Sequence, residues 1–185
     1  EKKNSVAMDG IGTICHEFGH VLGFPDFYDT DYTGSGGQAA VPGDWDLMSS
    51  GSYLNNSATP AGLTGIERQI ANWAQPIELT TTANGLSLPA INDSAVFYKI
   101  DLGNNNEFLM LEHRRKTRWD SYIPGEGMLI YHAQQNRINN WLENGQNNIN
   151  VTPSNRGWYI VPATGNDAHT ETGNAPFPGI SGNMN

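Results

Sequence analysis

The sequence predicts an α+β fold with a helical first part, residues 1–75, and an antiparallel β-rich second part, residues 76–185. Apolar residues recur at helical spacing between residues 10 and 22. A capping-box sequence introduces a second helix near residue 64. From residue 86 onward the apolar residues alternate instead, as in strands. A length of 185 residues suits one domain, or one domain with part of another.

The first helix is predicted from about Gly10 to Leu22, with Asp9 suited to cap its N-terminus. One side of this helix is apolar, and we expect that side to hold the helix against the core. Its members are Ile11, Ile14, Cys15, Phe18 and Leu22. Cys15 is the only cysteine, so no intrachain disulfide can form, and we expect it to be a small buried residue.

Two histidines lie on another side of the same helix. His16 and His20 are four residues apart, which places their side chains one turn above each other. Two imidazoles at that spacing can bind one metal ion. Glu17 lies next to His16, where a carboxylate can hold a zinc-bound water and accept its proton. We therefore predict His16 and His20 as zinc ligands and Glu17 as the general base.

The residues after His20 supply a third ligand. Gly23 permits a sharp turn, and Pro25 stops the helix from continuing, so Asp26 can return to the metal. Two histidines and one carboxylate leave an open position for water, as catalytic zinc sites require. The pattern H-E-x-x-H-x-x-G-x-x-(H/D) is typical of metzincin metalloproteases. Glu67 is a competing third ligand, although a role in capping the second helix explains it more simply.

The segment Gly43–Gly51 contains a methionine in a predicted tight turn downstream of the zinc helix. We interpret Met48 as the methionine of a metzincin Met-turn, which packs a thioether beneath the metal. Tyr53 follows closely, and its hydroxyl could stabilise an oxyanion, although a simple packing role explains this residue more readily.

Two aspartates in the polar loop after the zinc helix could hold calcium. Asp29 and Asp31 are close in sequence and are followed by three glycines, and carboxylate oxygens are ligands that calcium prefers. Their spacing does not match an EF-hand, and a solvated loop is an equally good interpretation.

The rest of the chain is organised around one helix and several strands. Thr64 and Glu67 form the predicted capping box of a helix over residues 64–74, on which Ile66, Ile70 and Trp73 share a face. Strands are predicted at 86–91, 96–101, 107–113, 127–132 and 157–162, with a hairpin loop at 104–106. The Asn-rich residues 134–155 are expected to form a long connection. The basic cluster Arg114, Arg115, Lys116 and Arg118 is expected to be a solvated strand end, or to contact an acidic substrate or a propeptide.

Composition excludes some partners. The formal net charge of −9 argues against nucleic acid, because phosphate binding needs a positive field. We find no apolar run long enough to span a membrane and no signal peptide at residues 1–4.

Several segments together resemble the immune inhibitor A family of secreted bacterial zinc metalloproteases. They are residues 16–28 (HEFGHVLGFPDFY), 45–51 (WDLMSSG), 124–132 (PGEGMLIYH) and 177–179 (FPG), with Glu112 and the pair Trp119-Asp120. The resemblance implies a secreted or cell-surface bacterial endopeptidase of metzincin-like topology, made as a larger precursor, with structural calcium as an option. It also implies that His16, His20 and Asp26 bind zinc and that Glu17 is the base.

The chain departs from the metzincin arrangement at its N-terminal side. A metzincin domain places a substrate-aligning sheet before the zinc helix, whereas only 15 residues precede His16. We expect that upper sheet to come from sequence before Glu1 as a partner segment of the same protein. We also expect Ile11, Ile14 or Phe18 to be exposed without it, and residues 1–185 alone to be an incompetent protease.

The predicted function is thus a zinc-dependent endopeptidase that acts on protein or peptide substrates. Two alternatives stay open at this point. One is a binding or scaffold module that keeps the zinc helix without turnover, and the other is a zinc hydrolase of non-peptide bonds.

Overall fold

The computed structural model describes residues 10–104, 106–179 and 182. Its helices are α1 (Ile11–Val21), α2 (Gly65–Ile70) and α3 (Gln135–Asn144). Its strands are β1 (Ile77–Glu78), β2 (Tyr98–Asp101), β3 (Glu107–Arg114), β4 (Gly127–Gln134) and β5 (Trp158–Ile160). The strands form one mixed sheet in the order β1-β2-β3-β4-β5, in which β1 pairs in parallel with β2 and the other neighbours pair antiparallel. The predicted α+β class is confirmed.

The long pair β3–β4 forms the centre of the sheet. The two strands pair from Glu107 opposite Gln134 to Arg114 opposite Gly127. Burial alternates along β3, so one face of the strand points into the core. Two charged side chains on that face, Glu112 and Arg114, are fully buried.

The hydrophobic core contains residues from both predicted parts of the chain. Fully buried members from the first part include Phe24, Phe27, Trp45 and Met48, and those from the second include Phe97, Met110, Tyr131 and Trp158. The Trp158 and Tyr131 rings stack with their centroids 4.4 Å apart. The loops that follow α1 are therefore packed on the inner face of the sheet. The predicted boundary between the two parts of the chain, near residue 75, stays a prediction.

The prediction for the apolar side of α1 is wrong in part. Ile11, Ile14 and Phe18 are 45%, 67% and 57% exposed, and only Cys15 and Leu22 of the stripe pack against the core, both partly exposed. The exposure of these three side chains agrees with our other expectation, that Ile11, Ile14 or Phe18 would be exposed without the upper sheet.

Two glycines explain how α1 packs with most of that stripe exposed. Gly12 and Gly19 are its buried residues, and the Gly12 amide donates a hydrogen bond to the Ser57 carbonyl at 2.7 Å. A Cβ atom at Gly12 would overlap the Ser52 carbonyl oxygen. The backbone of α1 at Gly12 therefore contacts the backbone of Ser52 and Ser57 directly. A residue with a side chain at this position would prevent that contact.

Helix α2 has the predicted capping box but ends earlier than predicted. The Thr64 amide donates to Glu67 Oε2 at 2.6 Å, and both halves of the box are present. Asn72 adopts a positive φ of 57°, and the Trp73 amide donates to the Arg68 carbonyl at 2.9 Å. This left-handed C-terminal motif ends the helix, so Trp73 is 60% exposed instead of sharing a buried face.

The Asn-rich stretch contains a helix that the sequence analysis missed. Helix α3 occupies much of the predicted connection and ends at Gly145, which has a φ of 65°. Ile138 is fully buried and Trp141 packs against the core, one turn apart. Abundant asparagine, which has low helix propensity, hid this short apolar pattern.

Other predicted elements also need correction. Residues 86–91 form no strand beyond a bridge from Ala90 to His113, and strand β1 was not predicted. The capping role of Asp9 and the conformation of Asn105 lie outside the described residues.

The basic cluster is exposed except for one member. Arg114 is fully buried, contrary to the prediction of a solvated strand end, and it donates to Asp120 at 2.6 and 2.8 Å and to Glu112 at 3.0 Å. It also donates to the Trp45 and Gly62 carbonyl oxygens at 3.1 Å each. Arg114 thus joins the loops of the first part to the sheet.

None of the helices in the described ranges is both long enough and apolar enough to cross a lipid bilayer.

Candidate active site

Three predicted ligand side chains converge at the end of α1. His16 Nε2 lies 3.2 Å from Asp26 Oδ1, and His20 Nε2 lies 3.3 Å from the same oxygen. Across the residues that the structure describes, this is the one cluster of three or more His, Cys, Asp or Glu side chains that could hold a metal ion. The three side chains are partly buried.

Backbone carbonyl groups orient both imidazole rings. His16 Nδ1 lies 3.0 Å from the Leu47 oxygen, and His20 Nδ1 lies 2.9 Å from the Phe24 oxygen. Since a carbonyl can only accept, each Nδ1 carries the proton. Each Nε2 is then left to face Asp26, which is the orientation that backbone partners give to metal-binding histidines.

The donor set fits a zinc ion. Asp26 Oδ1 is buried and has no hydrogen-bond partner, although two ring nitrogens face it. Three acceptor atoms this close need a cation between them, either a proton or a metal. The Asp26 carboxylate accordingly raises the pKa of His16, and partial burial opposes that shift. Ligand atoms about 3.3 Å apart are what a tetrahedral site with bonds of about 2.0–2.1 Å requires.

A tight turn brings Asp26 back to the histidines. Gly23 has a φ of 94°, which other residues rarely adopt. The amide groups of Gly23 and Phe24 donate to the His20 and Gly19 carbonyl oxygens, each at 3.0 Å. Phe24 and Phe27 are fully buried on either side of Asp26 and fix the turn to the core.

Met48 lies under helix α1. It is fully buried, and a Cβ atom added at Gly19 would lie 2.5 Å from its sulfur. Its carbonyl oxygen accepts a hydrogen bond from the Phe27 amide at 2.8 Å. The turn that carries Met48 therefore contacts both α1 and the segment that carries Asp26.

Glu17 lies on a cavity of about 380 Å³ beside the histidines. The cavity is lined in part by His16, Glu17, Tyr28, Ser49, Tyr53 and Glu171. The Glu17 side chain is exposed, as a group that meets substrate and water must be. Tyr53 is 66% exposed at the same cavity, so the simple packing role that we expected for it is wrong.

Sequence reasoning did not assign Tyr28, Ser49 or Glu171 of this cavity to the site. Tyr28 lies beside Asp26, and burial followed by the Asp26 charge raises the pKa of its phenol. The proximity of Tyr28 to the predicted ligand in sequence was a usable signal, and so was that of Ser49 to Met48. Glu171 lies far away in sequence, and nothing in its surroundings pointed to the site.

Asp29 and Asp31 are engaged with their own loop. Asp29 is buried and accepts hydrogen bonds from the Ala39 amide at 2.8 Å and the Asp31 amide at 3.2 Å, while Asp31 accepts from the Ser35 hydroxyl. No third acidic, histidine or cysteine side chain in the described part of the chain joins them as a metal-binding group. Calcium binding is therefore unsupported.

Glu67, the competing third ligand, is buried in the capping box of α2 and does not belong to the His16–His20–Asp26 group.

The site thus has two histidines one helical turn apart, a carboxylate that faces both, and a glutamate next to the first histidine. Zinc-dependent hydrolases use side chains of these types. Residues 6–76 match the family described as the immune inhibitor A peptidase M6, catalytic domain. The resemblance to this peptidase family is thus confirmed, through the segment that holds the site.

Individual relatives agree with the family. The chain is 36% identical over 77 residues to immune inhibitor A of Bacillus thuringiensis subsp. alesti, which covers 37% of this chain and 11% of that protein. It is 52% identical over 47 residues to the pre-pro-metalloprotease PrtV of Vibrio cholerae serotype O1 (strain M66-2), covering 25% of this chain and 5% of that protein. The matched stretches are small parts of much longer proteins.

Proposed function

We propose that this chain carries the catalytic centre of a zinc-dependent endopeptidase that hydrolyses peptide bonds in protein substrates. The observation that carries the proposal is the convergence of His16 Nε2, His20 Nε2 and Asp26 Oδ1 next to the exposed Glu17. The metalloprotease names of the relatives support the same reaction class.

In this proposal His16, His20 and Asp26 hold one zinc ion. A bound zinc ion supplies Lewis acidity, which polarises the carbonyl of the cleaved bond and acidifies water. The hydrogen bonds from the two Nδ1 atoms to the Leu47 and Phe24 carbonyl oxygens keep the rings in ligand orientation.

Glu17 acts as general base and then as general acid. Its carboxylate accepts a proton from the attacking water and returns that proton to the leaving amine. Tyr53 lines the same cavity, and its hydroxyl is available to donate a hydrogen bond to the developing oxyanion. Met48 supports α1 from below and takes no part in proton transfer.

The proposal includes a secreted or cell-surface bacterial location, by similarity to relatives named for immune inhibition and as a pre-pro-metalloprotease. It also includes a further segment of the same protein that covers the exposed face of α1. Ile14 and Phe18 on that face are more than half exposed, and a large uncovered apolar patch is unusual in a working domain.

The decisive experiment compares the full natural protein with its Glu17→Gln variant on casein. We expect the variant to bind one zinc ion per chain and to lose at least about 100-fold in rate, as general-base removal does. The matched control is Glu143→Gln at an exposed position on α3, which should leave the rate unchanged. A loss below tenfold at Glu17 would contradict the role of this residue.

The same preparation separates the alternatives. Casein cleavage that a zinc chelator abolishes and added zinc restores would support the endopeptidase. Zinc binding without cleavage of casein would support a binding module, unless ester substrates are turned over. Ester turnover alone would indicate a hydrolase of non-peptide bonds.

A further inference from the structure

The cavity beside Glu17 contains a buried hydroxyl that has no partner. Ser49 is 3% exposed and lines this cavity, and its Oγ makes no hydrogen bond. A buried hydroxyl is normally hydrogen-bonded, and one without a partner next to an open cavity indicates a position that a ligand atom can occupy.

The same cavity carries negative charge from acidic side chains. Glu171 and Glu17 line it, and Asp44 is close enough that its charge, after burial, raises the pKa of Glu171. None of the lining residues is lysine or arginine, and Glu171 forms no ion pair within the described part of the chain. The Glu171 side chain is held against Gly43, where a Cβ atom would lie 2.5 Å from its Cγ.

We propose that this cavity is a substrate subsite that binds a lysine or arginine side chain next to the cleaved peptide bond. The inference rests on the proposed peptidase function and specifies its substrates. Lysine and arginine carry donors and no acceptors, and the cavity offers the acceptors that they need at Ser49 Oγ and the Glu171 carboxylate.

The remaining walls suit the long stem of such a side chain. Tyr28, Tyr32 and Tyr53 line the cavity and lie near one another. Aromatic walls pack well against the methylene groups of lysine or arginine, and their ring faces attract a cation. A volume of about 380 Å³ accommodates one extended side chain and its water. A glutamate side chain of the substrate in this cavity would face the negative charges of Glu17 and Glu171.

The test uses the full natural protein and peptides that differ at one position next to the cleaved bond. Lysine and arginine peptides should exceed the norleucine peptide in kcat/KM by about tenfold or more, the factor of one charge-assisted hydrogen bond. Norleucine has a stem of similar length without the charge. Glu171→Gln should remove most of the preference for lysine and arginine over norleucine, and Glu171→Lys should favour the glutamate peptide. Glu143→Gln is the control.

A binding measurement keeps the two proposals separate. The metal-stripped protein should bind a fluorescent lysine peptide about tenfold more tightly than the norleucine peptide in an anisotropy assay. Tighter lysine binding that depends on Glu171, with no cleavage of any peptide, would support the subsite and reject the peptidase function. Chelator-sensitive cleavage with equal binding and equal kcat/KM for lysine and norleucine would support the peptidase and reject the subsite.

Discussion

The indole Nε1 of Trp141 donates a hydrogen bond to the Gly23 carbonyl oxygen at 2.8 Å, across 118 residues of sequence. Asn147 Nδ2 donates to the Asp26 carbonyl oxygen at 2.9 Å in the same way. Helix α3 and the loop after it therefore hold both ends of the turn that returns Asp26 to the histidines. The candidate ligand set depends on residues outside the zinc-helix motif.

Removing the bond between Trp141 and Gly23 should weaken zinc binding. Trp141→Phe keeps an aromatic ring and removes the hydrogen-bond donor. The turn at Gly23 should then hold Asp26 less firmly in its position beside the histidines. Outer partners of metal ligands typically affect affinity about 10–100-fold, and we expect the lower end of that range. Competition with a zinc-binding dye measures the change. The control is Leu142→Ala at the next, exposed position, and unchanged affinity in a Trp141→Phe, Asn147→Ala double variant would contradict the role of these bonds.

The third ligand can be identified by a pair of substitutions. Asp26→Ala should abolish tight zinc binding, since it removes the oxygen that both Nε2 atoms face. Glu67→Ala should keep zinc and destabilise the fold by about 1 kcal/mol or more, because the capping box is lost and the site is buried. Zinc content and urea unfolding separate the two effects. Zinc retained by the Asp26 variant and lost by the Glu67 variant would reverse the assignment.

Because Gly19 contacts Met48, replacing Gly19 with alanine should destabilise the fold. Gly19→Ala would place a Cβ atom 2.5 Å from the Met48 sulfur. We expect a net destabilisation of about 1–3 kcal/mol from overpacking, despite the better helix propensity of alanine. Unfolding in urea measures it. Adding Met48→Ala should make Gly19→Ala less harmful than it is in the native background, and strict additivity would show that the two residues do not interact. Met48→Leu alone should cost under about 1.5 kcal/mol.

Asp46 should make stability fall as pH rises. Burial raises the pKa of Asp46 to about 7, the Glu112 charge adds to the rise, and hydrogen bonds from Met48 and Trp158 together with the Arg114 charge oppose it. Since the unfolded value is about 3.9, the folded chain binds more protons between about pH 4 and pH 7. The contribution of this carboxyl to stability is therefore complete below about pH 4 and lost by about pH 7.

Asp46→Asn tests this pH dependence because it removes the titration at nearly constant size. Stability is measured by urea unfolding of the zinc-loaded protein from pH 4.5 to 8. Up to about pH 7, the stability of the variant relative to wild type should rise by on the order of 1 kcal/mol per pH unit, and it should level off above that. Glu67 is also buried and its pKa is also raised, so part of the slope should persist in the variant. Parallel stability curves for the two proteins would contradict the assignment to Asp46.

The sequence alone determined the parts of the site that depend on local geometry. His16 and His20 share a helix side because a helix repeats every 3.6 residues, and Gly23 with Pro25 permits only a turn after them. The capping box at Thr64 and Glu67 and the individual strands β3 and β4 followed from short-range patterns in the same way. These features involve neighbours within a few residues, where the covalent chain limits the arrangements.

Tertiary structure alone decided which side of α1 is buried and which distant residues complete the site. The helix packs through Gly12 and Gly19 and through only Cys15 and Leu22 of its apolar stripe. The Ser52 backbone and the Met48 side chain leave no room for Cβ atoms at the two glycines. Arg114 is buried because carboxylates and carbonyls from three segments surround it. Glu171 reaches the cavity, and Trp141 reaches Gly23, across more than a hundred residues. Such contacts depend on the packing of the whole chain, and local periodicity carries no information about them.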